Sequence, residues 1–366
     1  MDLEARVALV KEVGEEIVTE DDLRALLAAK PAPVAYDGFE PSGTAHIAQG
    51  VMRAINVNKM TRAGCRFKMF VADWHAWANN KMGGDLDKIQ VTGKYLIEIW
   101  RATGMDLSKV EFVWASDFVA DEEYWKKVMS VARESSLDRI LRTTQIMGRG
   151  EKDKLSAAQV LYPCMQAADI FHLKADLTQL GMDQRKVNML AREVGPKLGF
   201  WKPVVVSHHM LMGLQAPPPA DAPPEERATA MKMSKSNPDT AIFMTDTREQ
   251  VVAKLKKAYC PERQAAENPI LEYYRHIVFP ARGVLPIATY SDVVIERPEK
   301  FGGNLSFDSY EGLEAAFVAG KLHPMDAKSG AAKYVNLLLD PVREHFAKDE
   351  AARALKEQVE SFKVTR

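Results

Sequence analysis

Three stretches of the chain gather residue types that can do chemistry. One is Tyr162-Pro-Cys-Met-Gln166-Ala-Ala-Asp169, followed by Gly181-Met-Asp-Gln184-Arg185-Lys186. On a helix, positions 162, 166 and 169 fall at i, i+4 and i+7 and point the same way. A phenol, an amide and a carboxylate then share one stripe. The flanking Leu161, Met165 and Ile170 put that helix in the interior, where each polar group needs a partner; the alternative is an exposed polar face. The second stretch runs from Tyr36 to Gln49. Gly38 and Gly43 allow close backbone approach, Pro41 fixes a turn, and a helix is expected to open near Thr44. A strand, a glycine turn and a helix N-terminus make an anion site, because free N–H groups and the helix dipole point outward. His46 would stand in the first helical turn. An ordinary strand-to-helix turn accounts for the same residues. The third stretch is Lys232-Met-Ser234-Lys235-Ser236. Two lysines and two hydroxyls suit a leaving pyrophosphate, whose charge grows in the transition state; a solvated loop is the plain reading.

These groups need a scaffold. Short apolar runs at PVAY, FKMFVAD, VEFVW, KADLTQL and PVVVSHH read as strands. Between the second and third, Leu86, Ile89, Gly93, Leu96 and Trp100 mark one helix face. Strands separated by helices of this length imply βαβ units, hence an α/β fold with a doubly wound parallel sheet. Residues 1–30 read as a helical packing arm with Val7, Val10 and Val13 facing inward. Residues 31–245 form the sheet domain. From about Asp246 the strand signals fade, and 246–366 read as a mainly helical domain. The segment 216–224 holds five prolines and reads as a stiff, solvated loop just before Lys232.

Further on, Phe301 follows Arg297-Pro-Glu-Lys, and His323-Pro-Met-Asp326 follows Leu322. Pro324 suits the first turn of a helix, so His323 and Asp326 belong to its start. An exposed ring for stacking and a carboxylate for a base edge are what reading a single-stranded RNA loop takes. A capped helix beside a core phenylalanine is the alternative.

The glycine turn with His46, paired with Lys232–Ser236 after the last strand, is the signature pattern of class I aminoacyl-tRNA synthetases. The family's HIGH tetrad reads His46-Ile-Ala-Gln49 here, keeping the first histidine and departing at the last two positions. From about Pro33 to His345 the chain resembles tyrosyl-tRNA synthetases of the archaeal and eukaryotic cytosolic kind, and is especially similar to plant sequences. The resemblance implies that Tyr36 and Asp169 hold a substrate phenol, while Tyr162, Gln166 and Gln184 hold its ammonium. It implies ATP at Gly43, Thr44, His46, Ser234 and Lys235, with Mg²⁺ on the phosphates and catalysis by His46, Lys232 and Lys235. Arg185 and Lys186 would meet the acceptor stem, and Phe301, His323 and Asp326 the first anticodon base. The implied partners are L-tyrosine, ATP, tRNA(Tyr) and a second copy of the chain, docked through about residues 115–150.

The chemistry agrees with the resemblance. A site choosing tyrosine over phenylalanine pairs the phenol with buried polar groups that phenylalanine would leave unsatisfied, as tyrosyl enzymes exemplify. A tryptophanyl enzyme of the same fold would not need Tyr36 with Asp169. A catalytically silent RNA-binding module would not need His46 and the lysines. An unrelated nucleotidyltransferase would not need the phenol site. Composition narrows the field further. A net charge of −1, from 49 basic and 50 acidic residues, excludes a globally basic polyanion binder, so RNA contacts must be local. No apolar run approaches the roughly 18 residues of a membrane span, and the acidic N-terminus lacks the features of a signal peptide. Cys65, Cys164 and Cys260 have no metal-ligand spacing. We therefore expect a reduced, cytoplasmic setting and no zinc.

Overall fold

The computed structural model describes residues 1–148, 154–222, 227, 231–233 and 237–362. Its centre is a six-stranded sheet in the order β1-β6-β5-β2-β3-β4. The strands are β1 (Glu16–Val18), β2 (Val34–Phe39), β3 (Arg66–Val71), β4 (Val110–Trp114), β5 (Leu177–Gly181) and β6 (Val204–His208). All neighbours run parallel except β1, which pairs antiparallel to β6. β5 is buried throughout and β6 nearly so, as expected for parallel strands covered on both faces. All five strands expected from the sequence are present.

The chain builds β2, β3 and β4 in one direction and then returns to lay β5 on the other side of β2. The order therefore reverses between β2 and β5. These two strands pair only at Ala35 with Leu177 and at Tyr36 with Thr178. Beyond that point they part, and the carboxyl ends of a switch point open the crevice where such sheets bind ligands.

Two expectations need correcting. The N-terminal arm is not wholly helical: Leu3–Lys11 and Glu20–Ala29 are helices, but β1 lies between them and extends the sheet. Three residues are too few to show a period. The inward Val7, Val10 and Val13 are buried. Second, no helix opens at Thr44. Helical structure begins at Ala48 and continues through Arg53–Arg62. The chain before it is extended against the segment after the lysine loop. Ile47 N–H donates to the Ile242 carbonyl at 2.8 Å, Met244 N–H to the Ala45 carbonyl at 2.9 Å, and His46 bridges Phe243. Alternate buried Ala45 and Ile47 favour this pairing, and it ties the His46 turn to the chain just past Ser236.

Past Asp246 the chain is mostly helical, including Arg248–Lys257 and the long Pro324–Lys348. It also carries a two-stranded pair, β7 (Val293–Ile295) and β8 (Leu305–Phe307), which the sequence reading did not anticipate. One apolar cluster joins Val57 and Leu96 beside the sheet to Ile277, Val335 and Leu339 of this region. Of the proline-rich loop, residues 216–222 are irregular, and 223–224 lie outside the described residues.

Candidate active site

A cavity of about 340 Å³ fills the crevice at the switch point, within the usual range for a small-molecule site. Tyr36 and Asp37 enter it from β2, and Gly181 from the end of β5. Tyr162, Gln166 and Asp169 come from the helix Ala157–His172. Ser156 starts that helix with a reciprocal cap, its hydroxyl accepting from Gln159 N–H while the Gln159 side chain accepts from Ser156 N–H. All three residues of the stripe are buried, so the exposed-face alternative is overturned.

The deep end is built for a hydroxyl. Asp169 is fully buried. The Tyr124 hydroxyl donates to its Oδ1 at 3.0 Å, and His75 Nε2 stands 2.8 Å from Oδ2. Tyr36 also lines the cavity, and burial beside the Asp169 charge pushes its phenol well above the ordinary value. Tyr124 is displaced the same way for the same reasons. Neither Tyr124 nor the contact of His75 was readable in sequence, because each reaches Asp169 from a different helix.

Nearer the mouth, Gln166 Nε2 donates to Gln184 Oε1 at 3.1 Å, and Gln184 Nε2 donates to the Ile146 carbonyl at 3.0 Å. Gln166 Oε1 is buried with no hydrogen-bond partner. The Tyr162 phenol is raised by burial and by the charge of the Glu40 carboxylate beside it. Asn79 Nδ2 holds Glu40 at 3.0 Å, and Lys81 stands 3.6 Å away. Glu40 is a site residue that sequence reasoning passed over. It lies inside the Tyr36–Gln49 stretch, but turn composition does not say where a turn's side chains point. Together these groups make an acceptor-rich end suited to an ammonium.

The mouth carries the phosphate candidates. His46 and Lys232 line the cavity. Lys232 Nζ lies 3.2 Å from Asp183 Oδ2, and its backbone bridges Met212. Gly43 and Thr44 do not line the cavity, and the helix N-terminus expected there is displaced to Ala48. Ser234 and Lys235 fall outside the described residues. Under the mouth, Asp37 is buried against Arg53 Nε at 3.2 Å, yet desolvation still lifts its carboxyl to about 6. A larger cleft of about 960 Å³ opens at the far ends of the strands. Its Arg6 and Arg62 are committed to backbone carbonyls of Ala63, Leu27 and Gly283.

The remaining candidates lie apart from the cavity. Arg185 and Lys186 are exposed at the start of the helix Arg185–Val194, with Arg185 paired to Glu16 and Lys186 to Gln145. In the C-terminal region, Arg297 joins the Phe301 turn to the His323–Asp326 turn. Its Nε donates to the Gly303 carbonyl at 2.9 Å, its Nη1 to the Lys321 carbonyl at 2.9 Å, and Asp326 lies 4.0 Å away. Phe301 is 60% exposed, so it is no core residue. His323 does cap its helix, Nδ1 accepting from Met325 N–H at 3.1 Å.

Residues 29–340 match the family model described as tRNA synthetases class I (W and Y). The chain is 51% identical to tyrosine–tRNA ligase 1, cytoplasmic, of Arabidopsis thaliana, over 100% of this chain and 90% of that protein. The chain belongs to the tyrosine–tRNA ligase family. A Thermococcus kodakarensis member is 39% identical with both chains covered completely. Among solved members, the Pyrococcus horikoshii tyrosyl-tRNA synthetase complexed with L-tyrosine superposes with a TM-score of 0.88 at 38% identity, covering 98% of this chain and all of that one. The Leishmania major enzyme in complex with tyrosinol gives the same TM-score at 44% identity; this chain covers 61% of its length. The chain likewise spans 46% of a second Arabidopsis ligase. An Aeropyrum pernix tryptophanyl-tRNA synthetase, 17% identical with a TM-score of 0.65, shares the ligase fold and no more.

Proposed function

We propose that this chain activates L-tyrosine with ATP and transfers it to the 3′ end of tRNA(Tyr). The observation that carries this is the buried trio of Tyr36, Tyr124 and Asp169 closing the deep end of the cavity. A substrate phenol gives Asp169 and Tyr36 a further hydrogen-bond partner inside this buried end, which phenylalanine cannot supply.

Tyrosine enters hydroxyl first. Its ammonium reaches the Tyr162, Gln166 and Gln184 groups, with Glu40 as counter-charge. Its carboxylate then faces the mouth, where ATP lies by His46 and the lysine loop. The carboxylate oxygen attacks the α-phosphorus, the bond to the bridging oxygen breaks, and pyrophosphate leaves. The protein's work is to align the reactants and stabilise charge, with His46, Lys232 and Lys235 on the phosphates and Ser234 beside them. Gly43 and Thr44 serve this site only by shaping the turn before His46. Mg²⁺ would arrive with the triphosphate and neutralise part of its charge; Asp183, at the mouth, offers the hard oxygen donor it accepts. A terminal ribose hydroxyl of the tRNA next attacks the tyrosyl carbonyl, and AMP leaves.

Within this reading, residues 31–245 carry activation and 246–366 read the anticodon through Phe301, His323 and Asp326, while Arg185 and Lys186 meet the acceptor stem. A homodimer is part of the proposal, supported by the exposed Met129, Leu137 and Leu141 in the 115–150 segment. So is a cytoplasmic setting, as the name of the Arabidopsis relative suggests; among the described residues no helix is long and apolar enough to cross a membrane. The test is exchange of labelled pyrophosphate into ATP, run with tyrosine, tryptophan and phenylalanine. Tyrosine alone should drive it. Exchange driven equally by tryptophan would overturn the reading.

A further inference from the structure

His75 belongs to no phosphate, ammonium or tRNA contact, yet it stands at the centre of the phenol end. It lies on the short helix Asp73–Ala78 that follows β3. Asp73 fixes the first turn of that helix: its Oδ1 accepts from Trp74 N–H at 3.0 Å and Ser116 N–H at 3.2 Å, and its Oδ2 from Gln90 Nε2 at 3.1 Å. The imidazole is then clamped edge-on between Phe70 and Tyr162, at centroid distances of 5.5 and 5.2 Å and interplanar angles of 87°. Its Nε2 is 2.8 Å from Asp169 Oδ2, and both side chains are 1% exposed.

A charge buried this deeply is costly unless an opposite charge stands beside it. The charged and titratable groups acting on His75 are Asp169 from the long helix, Glu40 from the turn after β2 and Asp73 from its own helix. Tyr36, Tyr124, Tyr162 and, at the end of the same helix, His172 also feel the Asp169 charge. The phenols carry no positive charge, and burial and the Lys127 charge push the His172 imidazole down, so among these groups His75 is the source of a balancing positive charge. Burial alone would push the His75 imidazole down, but the Asp169 charge and contact outweigh it and the net displacement is upward.

We propose that His75 is a positioning residue for amino-acid selection: its imidazolium, in contact with Asp169, balances and orients the buried carboxylate so that its remaining lone pairs accept the substrate hydroxyl, and so favours tyrosine over phenylalanine. This rests on the tyrosine-activating reading above. A hydrogen bond to an ionised acceptor is roughly twice as strong as one to a neutral acceptor, so a charge-balanced, well-oriented carboxylate makes the substrate hydroxyl worth more.

The test compares wild type with His75→Gln, which keeps a donor toward Asp169 and removes the charge. In pyrophosphate exchange the variant should raise the KM for tyrosine about tenfold or more, from loss of a charged hydrogen bond. It should lower the tyrosine-to-phenylalanine ratio by a similar factor, with kcat and the KM for ATP within about twofold. Wild-type kcat/KM for tyrosine should fall as the imidazolium deprotonates at alkaline pH, a limb the variant lacks. An unchanged tyrosine KM and ratio would overturn the proposal, as would equal losses for tyrosine, phenylalanine and ATP with a lowered Tm, which mark a scaffold residue. If the variant does not fold, the wild-type selectivity ratio decides, since a ratio that does not fall along the alkaline limb up to the pH at which the enzyme itself unfolds rejects the role. Tyrosine binding by calorimetry reads the same contrast without turnover. Wild type that binds tyrosine but gives no exchange would therefore count against the catalytic reading and leave the His75 test standing.

Discussion

Arg185 Nε lies 2.7 Å from the Glu16 carboxylate. The residue proposed to meet the acceptor stem is thus held by β1, at the edge of the sheet. An exposed pair of this kind is worth at most about 1 kcal/mol, and an RNA phosphate can take the place of Glu16. Glu16→Gln should therefore lower the KM for tRNA by up to about fivefold, most clearly at low ionic strength. Arg185→Ala should raise it and leave tyrosine-dependent exchange untouched. A charging assay at two salt concentrations checks both. Glu16→Gln with an unchanged tRNA KM at either salt would show that the pair has only a structural role.

Lys232 makes a parallel case at the mouth, where it leans on Asp183. Its charge is needed most as pyrophosphate leaves, so Lys232→Ala should cut the exchange rate by roughly 10²–10³-fold, the scale for removing one transition-state donor. The KM for tyrosine should hardly change, because no contact of Lys232 reaches the phenol or ammonium end. Steady-state exchange over a tyrosine titration separates the two parameters.

What the sequence made legible follows from range. The five parallel strands were visible because each is a compact apolar run, and Tyr162, Gln166 and Asp169 because helical spacing is a local property. The contacts that complete the site are not local. Tyr124 and His75 meet Asp169 from separate helices, 45 and 94 positions earlier, and no spacing rule connects them. The misplaced helix start at Thr44 has the same origin. Backbone pairing of Ala45 and Ile47 with residues 242–244 overrode what looked like local turn chemistry. β1 was missed because its only ladder partner is β6, nearly 190 positions away.

Acid should weaken the fold in a way that one residue reports. His276 stacks on His209 with centroids 4.1 Å apart, and burial beside that second imidazole pulls it down from 6.5 to about 3. The folded protein therefore keeps His276 neutral, while the unfolded chain protonates it below about 6.5. Between those values the unfolded state binds the extra proton, so this contribution to stability is lost as pH falls from about 6.5 toward 3. His209, raised by Glu272 and Glu15 against its own burial, works in the other direction: its contribution is present below 6.5 and lost as pH rises through the raised value. His276→Gln removes the first effect. The drop in Tm between pH 7 and pH 4.5 should be smaller in the variant than in wild type. Equal slopes would show that His276 is not held neutral.

The C-terminal region separates folding from reading most cleanly. Phe301 is 60% exposed, the Lys300 ammonium stands 5.0 Å from its ring centroid, and the residue fills no core position. Phe301→Ala should therefore leave Tm nearly unchanged. Stacking of a base on such a ring is worth roughly 1–3 kcal/mol, so charging of tRNA should fall by about one to two orders of magnitude, while tyrosine-dependent exchange, which involves no anticodon, stays intact. Asp326 should behave differently. It sits in the first turn of the helix Pro324–Lys348, 4.0 Å from Arg297, where a carboxylate also favours the helix dipole. Asp326→Ala should cost a little stability and, because a carboxylate distinguishes base edges where a ring largely does not, relax discrimination at the first anticodon position. His323 is the control: it caps the helix through Met325 N–H, so His323→Ala should lower Tm, and any loss of charging beyond that of a similarly destabilised variant measures its contact with RNA. Charging of wild-type and anticodon-substituted tRNA, with exchange and Tm measured on the same three variants, gives each residue its own signature. If Phe301→Ala and Asp326→Ala slow exchange as much as charging, the two turns that Arg297 joins serve the fold, and the anticodon is read elsewhere.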